Sequence, residues 1–248
     1  MKTLALVILS LSALTGTHQP SPELPRAEVV VRHISVLDPT AAMWLHDRDV
    51  IIRNGKFAAV QPAGRPVPAA KFTINGNGKF AIPGLFDHRV HLEKLDRAGA
   101  GLFVASGITS VWDTGTDAAR IAQWRRDLSY GKFMGPRVVR SDAAAPAPQR
   151  ERSAVALHEE LAARVRAGQT PAAVLRSATI EAATFHDRGQ DLGSIEQGKI
   201  ADLIVLGGDP LADIAHTRTI DAVVFRGEVL TRAHLNQLLS HAGRRGAR

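Results

Sequence analysis

The sequence of 248 residues contains no cysteine. No disulfide can cross-link the chain, so its stability must come from the packing of its side chains. A thiolate is also excluded as a nucleophile or as a metal ligand. Any metal site must therefore use histidine, aspartate, glutamate or a modified lysine.

Aromatic residues are scarce as well, and tyrosine occurs once. The formal net charge is +7, and part of the excess lies in residues 244–248. A nucleic-acid interface needs a basic stripe with aromatic partners, whereas the basic residues of this chain are scattered. We expect a solvated surface that ends in a basic tail, and no nucleic-acid partner.

The apolar run near the beginning of the chain is short. Residues 4–14 are apolar, but they are too few to cross about 30 Å of hydrocarbon as a membrane anchor, which is the alternative interpretation. They follow Lys2 and precede small residues at 15–17, a pattern typical of a cleaved signal peptide. We predict a signal peptide over residues 1–16, export to the periplasm or secretion, and no stable membrane anchor.

Short strands are predicted at both ends of the chain. Asn54-Gly55 joins two apolar runs and predicts a hairpin, because both turn residues need a positive φ. Arg226-Gly227 predicts a second hairpin near the other end. After a Pro-rich linker at 17–26, we predict one composite β-sandwich domain from residues 27–82 with 188–235, and a tail over 236–248.

The middle of the chain, residues 83–187, alternates between strand and helix patterns. Gly107 ends one helical pattern, and Thr170-Pro171 predicts the start of a helix that continues to about residue 184. Repeated strand–helix units predict parallel strands, so the fold class is α/β.

Three parts of the sequence carry a resemblance to a known family. They are IPGLFDHRVH at 82–91, GITSVWDTG at 107–115, and residues 167–179 followed by LGSIEQGKIADLIVL at 192–206. Together they resemble the metal-dependent amidohydrolase superfamily, in the branch of imidazolonepropionase and dipeptidase-like enzymes. The resemblance implies a TIM-type (β/α)₈ barrel with a small β-sandwich built from both termini. It also implies a divalent metal, usually zinc, that activates water against a C–N bond of a small-molecule amide or cyclic amide.

The barrel implied by the resemblance does not fit the length of the middle region. Residues 83–187 supply roughly half of the 200 or so residues that such a barrel needs. GPRVV at 135–139 is similar to the third barrel strand of the family, and RSDA at 140–143 is similar to the eighth. Because these motifs adjoin, we predict an internal deletion and a partial barrel of about four parallel strands. The missing segment would have held a modified lysine or glutamate and two histidine ligands.

Two residues match ligand positions of the family. The resemblance implies that His91 binds the metal and that Asp142 binds it and accepts a proton from the attacking water. Arg89 occupies the position of the first histidine, although a guanidinium has no lone pair to offer a cation. His88 lies one residue away and is expected to face away from Arg89 and His91, since side chains alternate along a strand.

Each of these residues has a structural alternative. His91 could be an inherited residue without metal, because a catalytic zinc site usually has three protein ligands. Asp142 could be a loop or helix-capping residue. Asp87 is interpreted as a structural hydrogen-bond acceptor. Asp113 is either a strand-end site residue or a turn residue before Gly115, and we favour the turn.

Two functions are compatible with these patterns. The first is a metal-dependent hydrolase of non-peptide or dipeptide C–N bonds that is impaired by the loss of metal ligands. The alternative is a non-catalytic remnant that acts as a binding or oligomerising protein. An incomplete barrel has exposed strand edges, so we also predict a homo-oligomer.

Overall fold

The computed structural model describes residues 27–115, 117–141 and 156–243. The strands are β1 (Ala27–Asp38), β2 (Met43–Arg53), β3 (Lys56–Pro62), β4 (Ala70–Asn75), β5 (Phe80–Pro83), β6 (Leu85–Val90), β7 (Ile108–Asp113), β8 (Arg137–Ser141), β9 (Leu203–Leu206), β10 (Ile220–Phe225) and β11 (Glu228–Thr231). The helices are α1 (Arg97–Ala105), α2 (Ala118–Ser129), α3 (Ala156–Arg166), α4 (Pro171–Ser177), α5 (Ile180–Phe185) and α6 (Arg232–Gly243). The fold is therefore mixed α/β, as the sequence predicts.

Both ends of the described chain contribute to one sheet with the strand order β11-β10-β9-β5-β1-β2-β3, and β4 pairs with β1. The two predicted hairpins are confirmed. Asn54 and Gly55 have φ values of 53° and 67° between β2 and β3. Arg226 and Gly227 have φ values of 54° and 79° between β10 and β11.

The start of β3 also returns to the segment that precedes β9. The Phe57 N–H donates to the Lys199 carbonyl at 2.9 Å, and the Ala201 N–H donates to the Gly55 carbonyl at 2.9 Å. A buried apolar cluster lies between these strands, with members from β1, β2, β3, β5, β9 and β10. Strands from both ends thus enclose a common core, and the sandwich form remains a prediction.

A second sheet has the order β6-β7-β8, and all its strands are parallel. The connecting helices α1 and α2 pack through Phe103 and Trp124 into the cluster that contains Leu85 and Val111. We call the face of the sheet that they cover the outer face. The described residues supply three parallel strands, whereas the sequence predicts about four between residues 83 and 145. Residues 142–155 lie outside the described ranges.

The opposite face of this sheet, which we call the inner face, carries Phe86. Phe86 packs against Ala182 and Ala183 of α5 and against Leu192. The single helix predicted for 170–184 is wrong, because the chain breaks between α4 and α5. Thr179, at the break, has φ −129° and ψ −95° and donates its hydroxyl hydrogen to the Leu175 carbonyl at 2.7 Å. The break lets α5 turn onto the inner face.

Helix α6 occupies most of the region that the sequence assigns to a tail. Leu235 is fully buried in the main apolar cluster, and Leu238 packs against it. The predicted signal peptide and linker lie outside the described residues. Within the described residues, the helices are all too short or too polar to cross a membrane.

Candidate functional site

The carboxyl ends of β6 and β7 are held together by hydrogen bonds. The Leu92 N–H donates to Oδ1 of Asp113 at 2.8 Å, and the Thr114 N–H donates to the Val90 carbonyl at 2.9 Å. Asp113 is the last residue of β7 and is fully buried. The interpretation of Asp113 as a turn residue is therefore wrong, because its carboxylate joins two strand ends.

The residues predicted as metal ligands are only partly described. His91 is half-buried between β6 and a short 3₁₀ helix at Leu92–Lys94, and its carbonyl accepts the Lys94 N–H at 3.1 Å. Asp142 lies outside the described residues, and so does the side chain of Arg89. The proximity of His91 and Asp142 stays a prediction. Asp87 is fully buried in β6, and its structural role stays a prediction too.

A catalytic zinc centre needs three protein ligands and an open position for water. Within residues 27–115, 117–141 and 156–243, no group of three or more histidine, aspartate or glutamate side chains could hold a metal ion. The described residues therefore do not fit the zinc centre that the family resemblance implies. His158, the next histidine after His91, has another role. It is buried in α3, and its ring nitrogens contact Thr217 Oγ1 at 2.9 Å and the Ser106 carbonyl at 2.8 Å.

The inner face instead brings together a group of rings that we call the inner-face cluster: Phe86, His88, Trp112, Phe185 and His186. Nε2 of His186 lies 3.3 Å from Nδ1 of His88, within hydrogen-bonding distance. The His186 ring is stacked on Phe86, with centroids 6.1 Å apart and an interplanar angle of 12°. Trp112 meets the same imidazole edge-on at 5.3 Å. The cluster therefore places several flat side chains beside the ends of β6 and β7, with Phe185 largely exposed at its margin.

Arg140 of β8 adds a positive charge to this cluster, with its guanidinium carbon 5.4 Å from the centre of the Trp112 ring. Burial in the first place, together with the nearby His88 and Arg140, lowers the pKa of His186 from 6.5 to about 4. His186 is consequently neutral near pH 7. A base with so low a pKa is a weak proton acceptor in catalysis at neutral pH. Nδ1 of His186 and Nε1 of Trp112 are buried and have no hydrogen-bond partner among the described residues.

The lowered pKa of His186 predicts a pH-dependent stability. In the unfolded chain this histidine binds a proton below about pH 6.5, but the folded chain binds it only near pH 4. Stability should therefore fall as the pH drops from about 6.5 to about 4, because protons favour the unfolded state in that window. We expect this histidine to account for roughly 1–2 kcal/mol, since solvent screening reduces the full linkage value.

The measurement is urea unfolding at pH 7 and at pH 4.5 for the native chain and for His186→Phe. The variant should lose less stability between these two pH values than the native chain loses. His234→Asn, an exposed change on α6, is the control and should behave as the native chain does. An equal pH dependence in His186→Phe and the native chain would contradict this assignment.

The pairing of His88 with His186 was not among the predictions made from the sequence. The alternation of Phe86 and His88 along β6 was a usable signal, because it places both side chains on one face of the strand. His186 gave no local signal beyond its position at the end of a predicted helix. It reaches His88 only because α5 folds back over a strand that lies 98 positions earlier in the sequence.

Comparison with known proteins shows similarity over the second half of the chain. A model of the amidohydrolase family matches residues 114–230. An adenine deaminase of Desulforamulus reducens is 28% identical over 99 residues, which is 39% of this chain and 16% of that protein. An adenine deaminase of Chelativorans sp. is 35% identical over 66 residues, 27% of this chain and 11% of that protein. The chain thus aligns with about a sixth or less of the length of these relatives.

Solved structures resemble the fold at low sequence identity. Phenylurea hydrolase B has a TM-score of 0.73 at 13% identity, with 84% of this chain and 98% of that chain covered. A Xaa-Pro dipeptidase with bound methionine has a TM-score of 0.67 at 13% identity, covering 82% and 99%. An adenosine deaminase from Xanthomonas campestris with bound zinc has a TM-score of 0.63 at 14% identity, covering 90% and 98%. Together with the sequence motifs, the match of the family model to residues 114–230 and these fold similarities support the amidohydrolase superfamily.

Proposed function

We propose that this protein is a relative of metal-dependent C–N hydrolases whose own hydrolysis is absent or very weak. Its similar proteins are named as deaminases, a dipeptidase and a phenylurea hydrolase. Cleavage of a C–N bond is common to these names, so a small-molecule amide is the class of substrate that we propose. The metal would be a divalent ion, zinc in the first instance.

One observation carries the proposal of impairment, namely the occupation of the inner face by α5. In a (β/α)₈ barrel the connecting helices lie outside, and the strand face opposite them lines the interior below the active site. Here α1 and α2 cover one face of β6-β7-β8. Ala182 and Ala183 of α5 pack on Phe86 at the other face, and His186 stacks on the same ring. The face of the sheet that carries Phe86 is thus covered by α5.

The same observation supports a partial barrel produced by an internal deletion. The second sheet has three strands within the described residues, and GPRVV at 135–139 coincides with β8 and the residues before it. The sheet formed from both ends supports the β-sandwich annex, since its strands surround a common core. The alternative function is a non-catalytic remnant that binds a partner. It requires the same fold as the impaired hydrolase and differs from it only in having no hydrolytic activity.

The decisive experiment combines metal analysis of the purified chain with a hydrolysis screen on N-acyl amino acids and dipeptides. We expect substoichiometric zinc and no turnover above the buffer rate. Bound zinc in a one-to-one ratio together with turnover would contradict the proposed impairment and would support an active hydrolase.

Export to the periplasm or secretion, self-association, and the absence of a nucleic-acid partner are further parts of the proposal. A three-stranded parallel sheet has two edges, and an exposed edge can pair with a second copy. We therefore expect the chain without residues 1–16 to elute from a sizing column as a dimer or larger species. A clean monomer across a range of concentrations would contradict self-association.

A further inference from the structure

A cavity of about 350 Å³ lies at the amino-terminal end of β8, the end of that strand remote from Arg140. Its lining residues are Arg125, Leu128, Ser129, Arg137, Val138 and Arg226. Three of these six side chains are guanidinium groups. They come from three separate elements, namely α2, the start of β8, and the turn between β10 and β11. The proposed hydrolase function uses none of them.

Two of the three arginines are held in place by other groups. Nη2 of Arg137 donates to Oδ2 of Asp202 at 3.2 Å, and Nη1 of Arg226 donates to the Leu128 carbonyl. The Arg226 backbone N–H donates to the other Asp202 oxygen at 3.1 Å. Both guanidinium groups lie over the Phe225 ring, at 5.9 Å for Arg137 and 4.9 Å for Arg226. Their positions are therefore fixed without any ligand in the cavity.

The fixed arginines retain unused hydrogen-bonding capacity. The Nε atoms of Arg137 and Arg226 are buried and have no hydrogen-bond partner among the described residues. A buried donor without an acceptor destabilises the folded protein, so most buried donors in folded proteins are satisfied. An oxygen-rich ligand in the cavity would supply the missing acceptors.

The charges of the cavity are unbalanced as well. Against three guanidinium groups, Asp202 is the carboxylate that contacts Arg137 and Arg226, and burial raises its pKa. Burial and the neighbouring Arg137 lower the pKa of Arg226, because positive charges crowd together away from water. Glu228 raises the pKa of Arg226, but Glu228 is exposed and does not line this cavity. The excess of positive charge is close to two units.

We propose that this cavity binds a small dianion, either a phosphate group or a compact dicarboxylate. A dianion neutralises the excess charge, and its oxygens accept hydrogen bonds from guanidinium groups in the planar, two-point geometry that arginine favours. The volume leaves room for such a group together with a few waters, each of which takes about 30 Å³ in the liquid. The site is independent of C–N bond hydrolysis.

The test is isothermal titration of the full chain with inorganic phosphate and, separately, with malonate, at matched ionic strength. Saturable binding of phosphate identifies a phosphate group as the ligand chemistry, and saturable binding of malonate identifies a dicarboxylate. Saturable binding of both supports a general dianion site. Failure of both anions to bind above the sodium chloride background would overturn the proposal.

The location of the site is tested by substitutions that keep the fold. Arg125→Gln changes an exposed residue of α2 that lines the cavity, and should weaken binding about tenfold through the loss of one charged contact. Arg226→Lys keeps the charge but removes Nε, and should also weaken binding. Arg126→Gln, the matched control on the same helix, is exposed and does not line the cavity, so binding should be unchanged. Equal weakening by Arg125→Gln and Arg126→Gln would place binding elsewhere and overturn the assignment.

Discussion

Zinc-dependent hydrolysis by the unaltered chain is expected to be absent or close to the buffer rate. The ligand count is the first reason. His91 and Asp142 are the residues that match family ligand positions, and a catalytic zinc ion normally has three protein ligands. Among the described residues, no group of three suitable side chains is present. A bound water then lacks the ion that would lower its pKa towards 7.

Charge is the second reason, and it can be tested by one substitution. The motif at 82–91 places Arg89 where the family has a metal-binding histidine, so its positive charge would oppose a cation. Two unit charges about 4 Å apart repel by roughly 4 kcal/mol at an effective dielectric constant near 20. Because each ~1.4 kcal/mol is a factor of ten, Arg89→His should raise zinc affinity by about 10²–10³-fold.

The measurement is competition for zinc against a chelating dye, followed by assays of amide hydrolysis. Arg126→His, on the exposed side of α2, adds a histidine elsewhere and should leave zinc affinity unchanged. Stoichiometric zinc and measurable amide hydrolysis in the unaltered chain would refute this expectation, whatever the variant does.

The second large effect concerns the contact of α5 with the inner face. Phe86 is almost fully buried, and it packs against α5 and stacks on His186. Phe86→Ala should lower the free energy of unfolding by about 3–5 kcal/mol, because a buried aromatic side chain is lost and a cavity remains. This loss of stability is expected only if α5 covers Phe86 of β6, because Phe86 would otherwise be exposed to solvent.

Urea unfolding followed by circular dichroism measures the change. Phe72→Ala is the matched control, since Phe72 lies on β4 with 45% of its surface exposed, and its replacement should cost much less. If both variants lose similar amounts of stability, or if Phe86→Ala loses less than about 1 kcal/mol, α5 does not cover the inner face.

Several features followed from short stretches of sequence, because local chemistry decides them. Asn54-Gly55 and Arg226-Gly227 specified their hairpins through residues that accept positive φ. Thr170 and Pro171 specified the start of α4, where the Thr170 hydroxyl accepts the Ala173 N–H at 3.2 Å. The motif at 192–206 carried the most specific part of the resemblance to the amidohydrolase superfamily. Each of these signals is contained within a few neighbouring residues.

Other features were decided only by tertiary structure. The break at Thr179, the placement of α5 on the inner face, and the contact between His88 and His186 depend on partners far away in the sequence. The role of Asp113 is of the same kind, because its hydrogen-bond donor comes from the short 3₁₀ helix after another strand. A helical pattern gives the periodicity of apolar residues, but it does not say which surface they will cover. That choice depends on the total burial and hydrogen bonding of the folded chain, which no local segment contains.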